Sequence, residues 1–358
     1  MKFTDYPQIT KLVLSSNMRL RRDMAQICNN MINLQNTIVP SNVINNSRNM
    51  LSSYNNCSNL ISSPVCGDNV TNMYATYFNC FNLTNTPVCG NNVVDMSYTY
   101  FYCGNLTGSP VCGDKVTNMC GSYYSCSNLT GSPVCGDNVT NMSGAYCYCY
   151  NLTGSPICGD KVRKLGGVVR RPDNPYHTCG AYQGCNHLTG SPACGNNVTS
   201  MCFAYRDCTN LTGSPVCGTN VTNMEQTYYN CFNLTGSPVC GDNVTDMSFT
   251  YTRCYNLTGN FVCGSNVINM DGTYAQCQKM TNPVCGDKVK IFNNTYYNYQ
   301  NIIVAICGPN VIEMCNTYRD CSNLTTAICG PNVINMCNTY RNCTNLTTAA
   351  CGPNVVNM

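Results

Sequence analysis

The sequence repeats one unit about a dozen times over residues 57–358. The unit at residues 80–103 reads CFNLTNTPVCGNNVVDMSYTYFYC, and its neighbours keep the same 23-residue spacing. From Cys277 onward the period shortens to 22 residues, and the unit that starts at Cys149 is 13 residues longer. A unit this short cannot bury its own apolar side chains, so neighbouring units must stack to form a core. The repeat therefore predicts a solenoid of stacked coils.

Within each unit, the spacing of apolar residues predicts which side chains point inward. In the unit that ends at residue 103 these are Leu83, Val88, Cys89, Val93, Met96, Tyr100 and Cys103. The stretch NLTGSPVC is the predicted strand, because it carries Leu, Thr and Val and is followed by Gly-Asp-Asn turn residues. Its Pro, such as Pro110, lacks a backbone donor and limits the strand to a few residues. The following segment, MSYTYFYC, is predicted to form one helical or 3₁₀ turn.

The motif NVTNM occurs at residues 69–73 and 138–142 and, followed by an aromatic residue, a Cys and x-N-L-T, within residues 218–235. It resembles the BspA-like leucine-rich-repeat family of bacterial and protist surface proteins, over residues from about 57 to 358. The resemblance implies a leucine-rich-repeat solenoid with one short parallel β-strand per coil, and a role in adhesion or recognition. The sequence departs from the family pattern in its second Cys column and in the Ser-Pro of the strand.

The chain has 32 cysteines, most of them in columns that repeat with the unit. Equivalent residues of stacked strands lie about 4.8 Å apart, so disulfides between neighbouring coils are sterically possible. Free Cys, however, is one of the residues most often buried as a small apolar side chain. The N-terminus lacks the apolar segment and cleavage site of a secretory signal, which favours synthesis in a reducing compartment. We therefore expect most of these residues to be reduced core thiols.

One group of residues has the composition of a zinc site. Its members are His177, Cys179, Cys185 and His187. Cys185 starts a repeat unit and is expected to face the core, and no CxxC pair supports a metal site, so no metal or other cofactor is predicted. The sequence shows no nucleophile–base–acid arrangement, no phosphate-binding glycine loop and no distinctive pair of carboxylates. The protein is therefore predicted not to be an enzyme.

The residues two to six places before each unit Cys vary between units, as solvated positions do. They include aromatic and arginine side chains, which are enriched at recognition surfaces. The predicted binding face consists of Tyr77, Phe78, Tyr98, Phe101, Phe203, Arg206, Tyr228, Arg253, Arg319 and Arg341. A varying surface edge without a partner is the alternative.

An insertion at about residues 166–180 interrupts the array, and insertions in repeat proteins often lie on a working face. The basic residues in and beside it are Arg163, Lys164, Arg170 and Arg171. They favour a polar protein or an anionic glycan as the partner, and a solvated loop without function is the alternative.

Residues 1–40 have a different pattern. Apolar residues spaced by four and three occur at Leu20, Met24, Ile27, Met31, Leu34 and Ile38. This heptad-like spacing, which Pro40 ends, predicts an N-terminal helix. The helix would form either a short oligomerising coiled coil or a single cap on the first coil. Residues 41–56, rich in Asn and Ser, would then lead into and cap the solenoid.

The formal net charge of only +3 and the short apolar runs predict neither nucleic-acid binding nor membrane insertion. We expect a structural or recognition protein that displays a Tyr-rich face to a protein or glycan receptor. A virion-associated role, as a phage fibre or decoration protein, is the first setting. A cell-surface adhesin and an intracellular scaffold are the alternatives. We also expect a homo-oligomer within a larger assembly, with Leu346 and Val355 of the last unit covered by another chain.

Overall fold

The structure is a computed structural model. It describes residues 3, 5–18, 23–62, 66–171, 173–261, 263–281 and 285–358. The chain divides into two parts, which we call unit 1 (Met1–Leu188) and unit 2 (Thr189–Met358). Within each part, every coil hydrogen-bonds through its backbone to the next one, as Met73 does to Asp95 in unit 1 and Met224 to Asp246 in unit 2. The predicted repeat solenoid is confirmed.

The described part of unit 1 contains four short strands and one short helix. Strand β1 (Lys11–Val13) pairs in parallel with β2 (Asn36–Ile38), and helix α1 (Ser41–Asn45) follows. Strands β3 (Gly166–Val168) and β4 (Thr178–Gly180) pair antiparallel. They form a hairpin at the place where the sequence has its insertion. We call residues 166–180 the hairpin.

Unit 2 contains one three-stranded parallel sheet. Its strands are β5 (Val304–Ile306), β6 (Thr326–Ile328) and β7 (Thr348–Ala350), with β6 in the centre. The register follows the 22-residue period, because each residue pairs with its equivalent in the next coil. These strands lie where the sequence predicts one strand per coil.

In the 23-residue coils, no strand occurs at the predicted place among the described residues. Instead, the hydroxyl of the core tyrosine bonds both backbone polar groups of one residue in this segment. We call this pair of hydrogen bonds the tyrosine clamp. The hydroxyl of Tyr100 accepts a bond from the N–H of Val88 and donates to its carbonyl, both at 2.9 Å. Tyr123 bonds Val111 in the same way, at 3.1 and 2.7 Å. The preceding proline has no N–H to donate to a neighbouring strand. The tyrosine hydroxyl therefore serves as the hydrogen-bond partner of this segment in place of a strand.

The segment after the core Met forms consecutive turns instead of a helix. Alternate residues donate to the next coil: Ala75 N–H bonds the Ser97 carbonyl at 3.0 Å, and Tyr77 N–H bonds that of Thr99 at 2.8 Å. Two residues per coil adopt left-handed backbone angles, such as Tyr98 with φ 58°. These residues reverse the direction of the chain, which excludes a continuous helix.

Most of the predicted inward positions are confirmed. The fully buried ones in the example unit are Leu83, Val93, Met96, Tyr100 and Cys103. Val88 and Cys89 are only half-buried, which corrects the prediction for this column. Because both backbone polar groups of Val88 face the Tyr100 hydroxyl, its side chain cannot point fully into the core.

The cysteines are mainly core thiols. Two disulfides, Cys147–Cys179 and Cys315–Cys337, use four of the 32 cysteines, and the other 28 are thiols. A unit-start thiol such as Cys103 donates to the carbonyl of Tyr77 in the preceding coil at 3.0 Å. Burial raises the pKa of these thiols, for Cys57 to about 12, so they stay protonated at neutral pH.

The predicted N-terminal helix is wrong over the described residues. Residues 23–35 form turns of a coil, and residues 36–38 belong to β2. Met24, Ile27, Met31 and Leu34 are buried in the core of unit 1 and cannot form an oligomer seam. Ile38 is half-exposed on β2, and Leu20 lies outside the described residues.

The spacing that suggested a heptad is that of a solenoid coil. Met24, Cys28, Met31 and Leu34 have the same spacing as Met50, Tyr54, Cys57 and Leu60, each 26 residues further along the chain. The Met24 N–H also bonds the Asn49 carbonyl of the following coil at 2.9 Å. The first described coil therefore precedes residue 41, and the repeat begins before Cys57.

Candidate recognition surface

In each coil the side chains beside the buried tyrosine project from one side of the stack. They stand five, two and one places before the unit-start Cys, and we call these three columns the lateral face. The column five places before Cys has left-handed backbone angles, as at Tyr98 and Phe203. These angles turn the side chains away from the Tyr column that fills the core.

In unit 1 the lateral face carries a stack of aromatic rings. The rings of Phe78 and Phe101 lie 5.0 Å apart, and those of Phe101 and Tyr124 lie 4.3 Å apart, nearly parallel in both pairs. Tyr98 packs against Phe101 at 5.5 Å. Such a stack buries a large apolar area and adds favourable ring–ring contacts.

The hairpin covers this aromatic stack. Its Val169 is fully buried in the same cluster as Tyr98, Phe101 and Tyr124. The N–H of Arg170 donates to the Tyr98 hydroxyl at 2.9 Å, and the Cys147–Cys179 disulfide ties the hairpin to the lateral face. Burial raises the pKa of the Tyr98 phenol.

Gly144 provides the space that the hairpin occupies. A Cβ atom at Gly144 would lie 2.7 Å from Cγ2 of Val169, too close for two carbon atoms. Gly144 also has a φ of +62°, which glycine adopts without strain. The absence of a side chain at this position therefore lets Val169 lie directly on the coil.

Several residues of the predicted binding face are not available in this form of the protein. Tyr77 and Tyr228 belong to the core tyrosine column and are fully buried. Tyr98 and Phe101 lie beneath the hairpin, with 9% and 0% of their surfaces exposed. Phe78 is half-buried against the same cluster. The assignment of Tyr77, Tyr98, Phe101 and Tyr228 to an open binding face is wrong, since neighbouring turns and the hairpin remove them from solvent.

In unit 2 the lateral face is open and forms a groove of about 450 Å³. Its ring and guanidinium groups belong to Arg206, Tyr229, Phe249, Arg253 and Tyr297. Amides of Gln226, Gln276 and Asn294 also line it, and the buried Thr252 and Ala275 lie at its base. Two of these residues, Arg206 and Arg253, were predicted from the sequence. The others could have been found by extending the same columns to every coil.

The arginines of this face stack on aromatic rings or bond amide groups. The guanidinium of Arg206 lies 5.0 Å from the ring centre of Tyr229 and 5.5 Å from that of Phe203, and its Nε lies 3.3 Å from a carboxylate oxygen of Asp207. Arg253 Nε donates to Gln276 Oε1 at 3.2 Å.

Arg319 and Arg341 continue the same side of unit 2. Arg319 lies 5.7 Å from the Tyr297 ring centre and 3.5 Å from an Asp320 carboxylate oxygen. Arg341 is exposed in the following coil. Neither of them lines the groove.

Acidic residues lie in the columns next to the lateral face of unit 2. Burial and the nearby Asp246 raise the pKa of Glu225. Burial also raises the pKa of Asp271, although Asn294 Nδ2 donates to its carboxylate at 3.0 Å and partly offsets the shift. None of these carboxylates lines the groove, so the charged groups at its surface are guanidiniums.

The basic residues of the insertion do not share one environment. Arg163 and Lys164 are exposed on the coil before the hairpin, and the Lys164 backbone bridges to Asn141. Arg170 is exposed at the hairpin, where its N–H bonds Tyr98. Arg171 pairs with Asp173 through two bonds of 2.6 and 2.9 Å.

The candidate zinc ligands are not brought together. Cys179 is in the disulfide with Cys147, and the Cys185 thiol donates to the Tyr146 carbonyl at 3.0 Å inside the core. His187 is exposed, with Nδ1 2.7 Å from the Tyr150 carbonyl. No group of three or more potential metal ligands occurs among the residues that the structure describes. The metal candidate, which included His177, is therefore wrong.

Comparison with known proteins identifies the fold. No family model and no curated protein matches the chain, whereas twelve chains among the solved structures do. A leucine-rich repeat protein from Bacteroides ovatus matches with a TM-score of 0.52 and 13% identity, over 95% of this chain and 86% of that one. This likeness shows that the chain has the leucine-rich-repeat solenoid fold, as the sequence predicted.

Two further structures match less well. A leucine rich cell surface protein from Faecalibacterium prausnitzii has a TM-score of 0.41 and 11% identity, over 96% of this chain and 88% of that one. An internalin from Listeria monocytogenes has a TM-score of 0.25 and 10% identity, over 89% and 81%. Within the described part of the chain, no helix has the length and hydropathy needed to cross a bilayer.

Proposed function

We propose that this protein is a non-enzymatic recognition protein that binds a partner protein through the groove of unit 2. One observation carries the proposal: in unit 1 the hairpin covers the columns five and two places before Cys, whereas in unit 2 these columns expose aromatic and guanidinium groups. Arg and Tyr side chains contribute most of the binding energy in many protein interfaces. Grooves of this volume can enclose several side chains of a partner.

The chemistry of the groove supports binding over catalysis. Its lining residues supply guanidinium, phenol, amide and apolar groups. The one aliphatic hydroxyl, that of Thr252, already donates to the Gly272 carbonyl at 2.6 Å. The lining residues do not include a nucleophile next to a base, which covalent catalysis requires.

The setting of the protein remains a proposal as well. None of the three structures named above is a virion protein, so we place the cell-surface adhesin and the intracellular scaffold before the virion-associated role. The likeness to the Bacteroides protein supports the fold on which all three settings depend. The homo-oligomer and the other subunits of an assembly remain predictions.

A partner-capture experiment with matched variants tests the proposed function. The full chain would be immobilised and exposed to an extract of its native source, and retained proteins would be identified by mass spectrometry. The double variant Tyr229→Ala/Tyr297→Ala should lose a protein that the wild type retains, because it removes two rings of the groove. The variant Tyr176→Ala, at a tyrosine of the hairpin that is 83% exposed, should keep it.

The purified partner then gives the quantitative result. Its Kd for the double variant should be at least about tenfold weaker than for the wild type, with the folded state of both checked by circular dichroism. Equal affinity for wild type and double variant would overturn the assignment to this groove. Binding to a glycan array, lost in the double variant while protein capture is unchanged, would replace the protein partner with a glycan.

A further inference from the structure

We infer that the groove of unit 2 binds an extended polypeptide segment that carries a carboxylate side chain, with Arg253 as its main contact. This inference rests on the proposed function and adds the chemical class of the bound segment. Two independent observations support it: the way in which the hairpin lies on unit 1, and the charge of the groove in unit 2.

The hairpin shows how an extended segment fits a lateral face of this repeat. Its Val169 lies on Gly144, and its Cys179 bonds Cys147. The backbone N–H of Arg170 bonds the phenol of Tyr98. A lateral face therefore binds a strand through a recess at small residues and a phenol oxygen that accepts a backbone hydrogen bond.

Unit 2 has related elements in its groove. Ala275 stands two places before its unit Cys, as Cys147 does in unit 1, and lines the groove, whereas the space at Gly272 is filled by the Phe249 ring. Tyr229 and Tyr297 supply phenols to the groove, although from a different column than Tyr98. An extended segment in the groove would thus meet a small residue and phenol oxygens, the two kinds of group that the hairpin uses.

The charge of the groove selects a carboxylate. Among the described residues, the charged groups that line it belong to Arg206 and Arg253, and none is acidic. Arg206 is already paired with Asp207 and also donates to Gln226. The bond from Arg253 Nε to Gln276 uses one of the five N–H donors of that guanidinium. A carboxylate accepts two parallel bonds from such a group, which makes Arg253 the specific contact.

Fluorescence anisotropy with the full chain tests this inference. The probe is a labelled peptide of alternating Thr and Glu, which favours an extended backbone, and its control is the same peptide with Gln in place of Glu. The Glu peptide should bind the wild type at least about tenfold more tightly than the Gln peptide, and more weakly as salt increases.

Variants assign the contact. Arg253→Gln should weaken binding of the Glu peptide about tenfold, and Arg253→Lys should weaken it less, because lysine keeps the charge but not the planar fork. Arg341→Gln is the matched control, since Arg341 is exposed in the same unit but does not line the groove, and its affinity should stay within about twofold of wild type. Thermal unfolding confirms that each variant is folded.

Three outcomes would overturn the inference. These are equal binding of the Glu and Gln peptides, equal binding by wild type and Arg253→Gln, and complete competition by inorganic phosphate at concentrations comparable to those of the peptide. The last outcome would indicate a general anion site. If the Tyr229→Ala/Tyr297→Ala variant still loses the native partner in any of these cases, the proposed function stands and only the acidic segment is rejected.

Discussion

Units 1 and 2 have the same lateral columns, but in unit 1 the hairpin covers the columns five and two places before Cys, whereas unit 2 leaves them open. Phe101 and Tyr229, each two places before its unit Cys, illustrate the difference: the first is fully buried beneath the hairpin, and the second is half-buried and lines the groove. A 13-residue insertion therefore converts one lateral face into core. Whether a column in this repeat forms core or surface depends on which residues pack over it.

The coils differ also in how they satisfy the backbone of this segment. Coils with Gly-Ser-Pro rely on the tyrosine clamp in both units, as Val111 does with Tyr123 in unit 1 and Val216 with Tyr228 in unit 2. The last coils of unit 2 have Thr-Thr-Ala at this place and form β6 and β7. Because these coils lack the proline, the segment keeps its backbone N–H donor. Hydrogen bonds between strands then replace those from the tyrosine.

The largest expected effect separates the two lateral faces directly. Phe101→Ala should lower the free energy of unfolding by about 3–5 kcal/mol, because it leaves a cavity beneath the hairpin. Tyr229→Ala, in the same column of unit 2, should lower it by only about 1–2 kcal/mol, since that ring is half-buried and lines the open groove. Urea denaturation measures both values. Similar losses for the two variants would contradict the claim that only one face is core.

The second prediction concerns the attachment of the hairpin. The variant Cys147→Ala/Cys179→Ala removes a bridge between residues 32 positions apart and should lower stability by about 2–4 kcal/mol. Trypsin should then cleave after Arg170 faster than in the wild type. The variant Cys315→Ala/Cys337→Ala removes the disulfide of unit 2 and should leave cleavage at Arg170 unchanged. Equal protection of Arg170 in both variants would show that the disulfide does not hold the hairpin.

The third prediction tests the difference between coil types. Tyr123→Phe leaves the N–H and carbonyl of Val111 without their partner and should cost about 1–3 kcal/mol. Tyr340→Phe should not lower stability, because its buried hydroxyl has no hydrogen-bond partner to lose. Thermal unfolding of both variants gives the comparison. An equal cost at the two positions would mean that the clamp contributes nothing specific to the 23-residue coils.

The fourth prediction concerns one hydrogen bond of the covered face. Tyr98→Phe removes the acceptor of the Arg170 N–H and should destabilise the hairpin by about 1 kcal/mol. Amide exchange of Arg170 should accelerate about fivefold, as expected for that change in free energy. Tyr229→Phe, on the open face, is the matched control and should leave Arg170 exchange as in the wild type. Unchanged Arg170 exchange in Tyr98→Phe would show that this hydrogen bond does not help to hold the hairpin on the lateral face.

The smallest expected effect is a pH dependence in unit 2. Burial, followed by the charge of Asp246, raises the pKa of Glu225 above its ordinary value of 4.5. The folded state therefore holds this proton more tightly than the unfolded state, and Glu225 lowers stability as the pH rises above about 4.5. Glu225→Gln should unfold at a higher temperature than the wild type at pH 7, with the difference disappearing near pH 4. A lower unfolding temperature at pH 7 would contradict this sign.

Some residues could be assigned from the sequence because their role is local to one coil. The columns of Leu83, Met96 and Tyr100 recur at fixed positions, and a stacked repeat must bury such columns. The N-terminal coil was missed because Met24, Met31 and Leu34 have spacings that a heptad also has. Asn29, Asn30 and Asn33, which match Asn55, Asn56 and Asn59 of the next coil, were the signal that favoured a coil.

The repeat, its period and the main core columns could be predicted from the sequence alone, since these depend on residues within one coil and its neighbour. Which lateral face is open could be seen only in the folded chain. Arg170 bonds Tyr98 across 72 residues of sequence, and the repeat pattern contains no trace of that contact. The tyrosine clamp was equally hidden, because it depends on the backbone groups of Val88 turning inward towards Tyr100. Coverage and backbone pairing are properties of three-dimensional packing, whereas periodicity is a property of the chain.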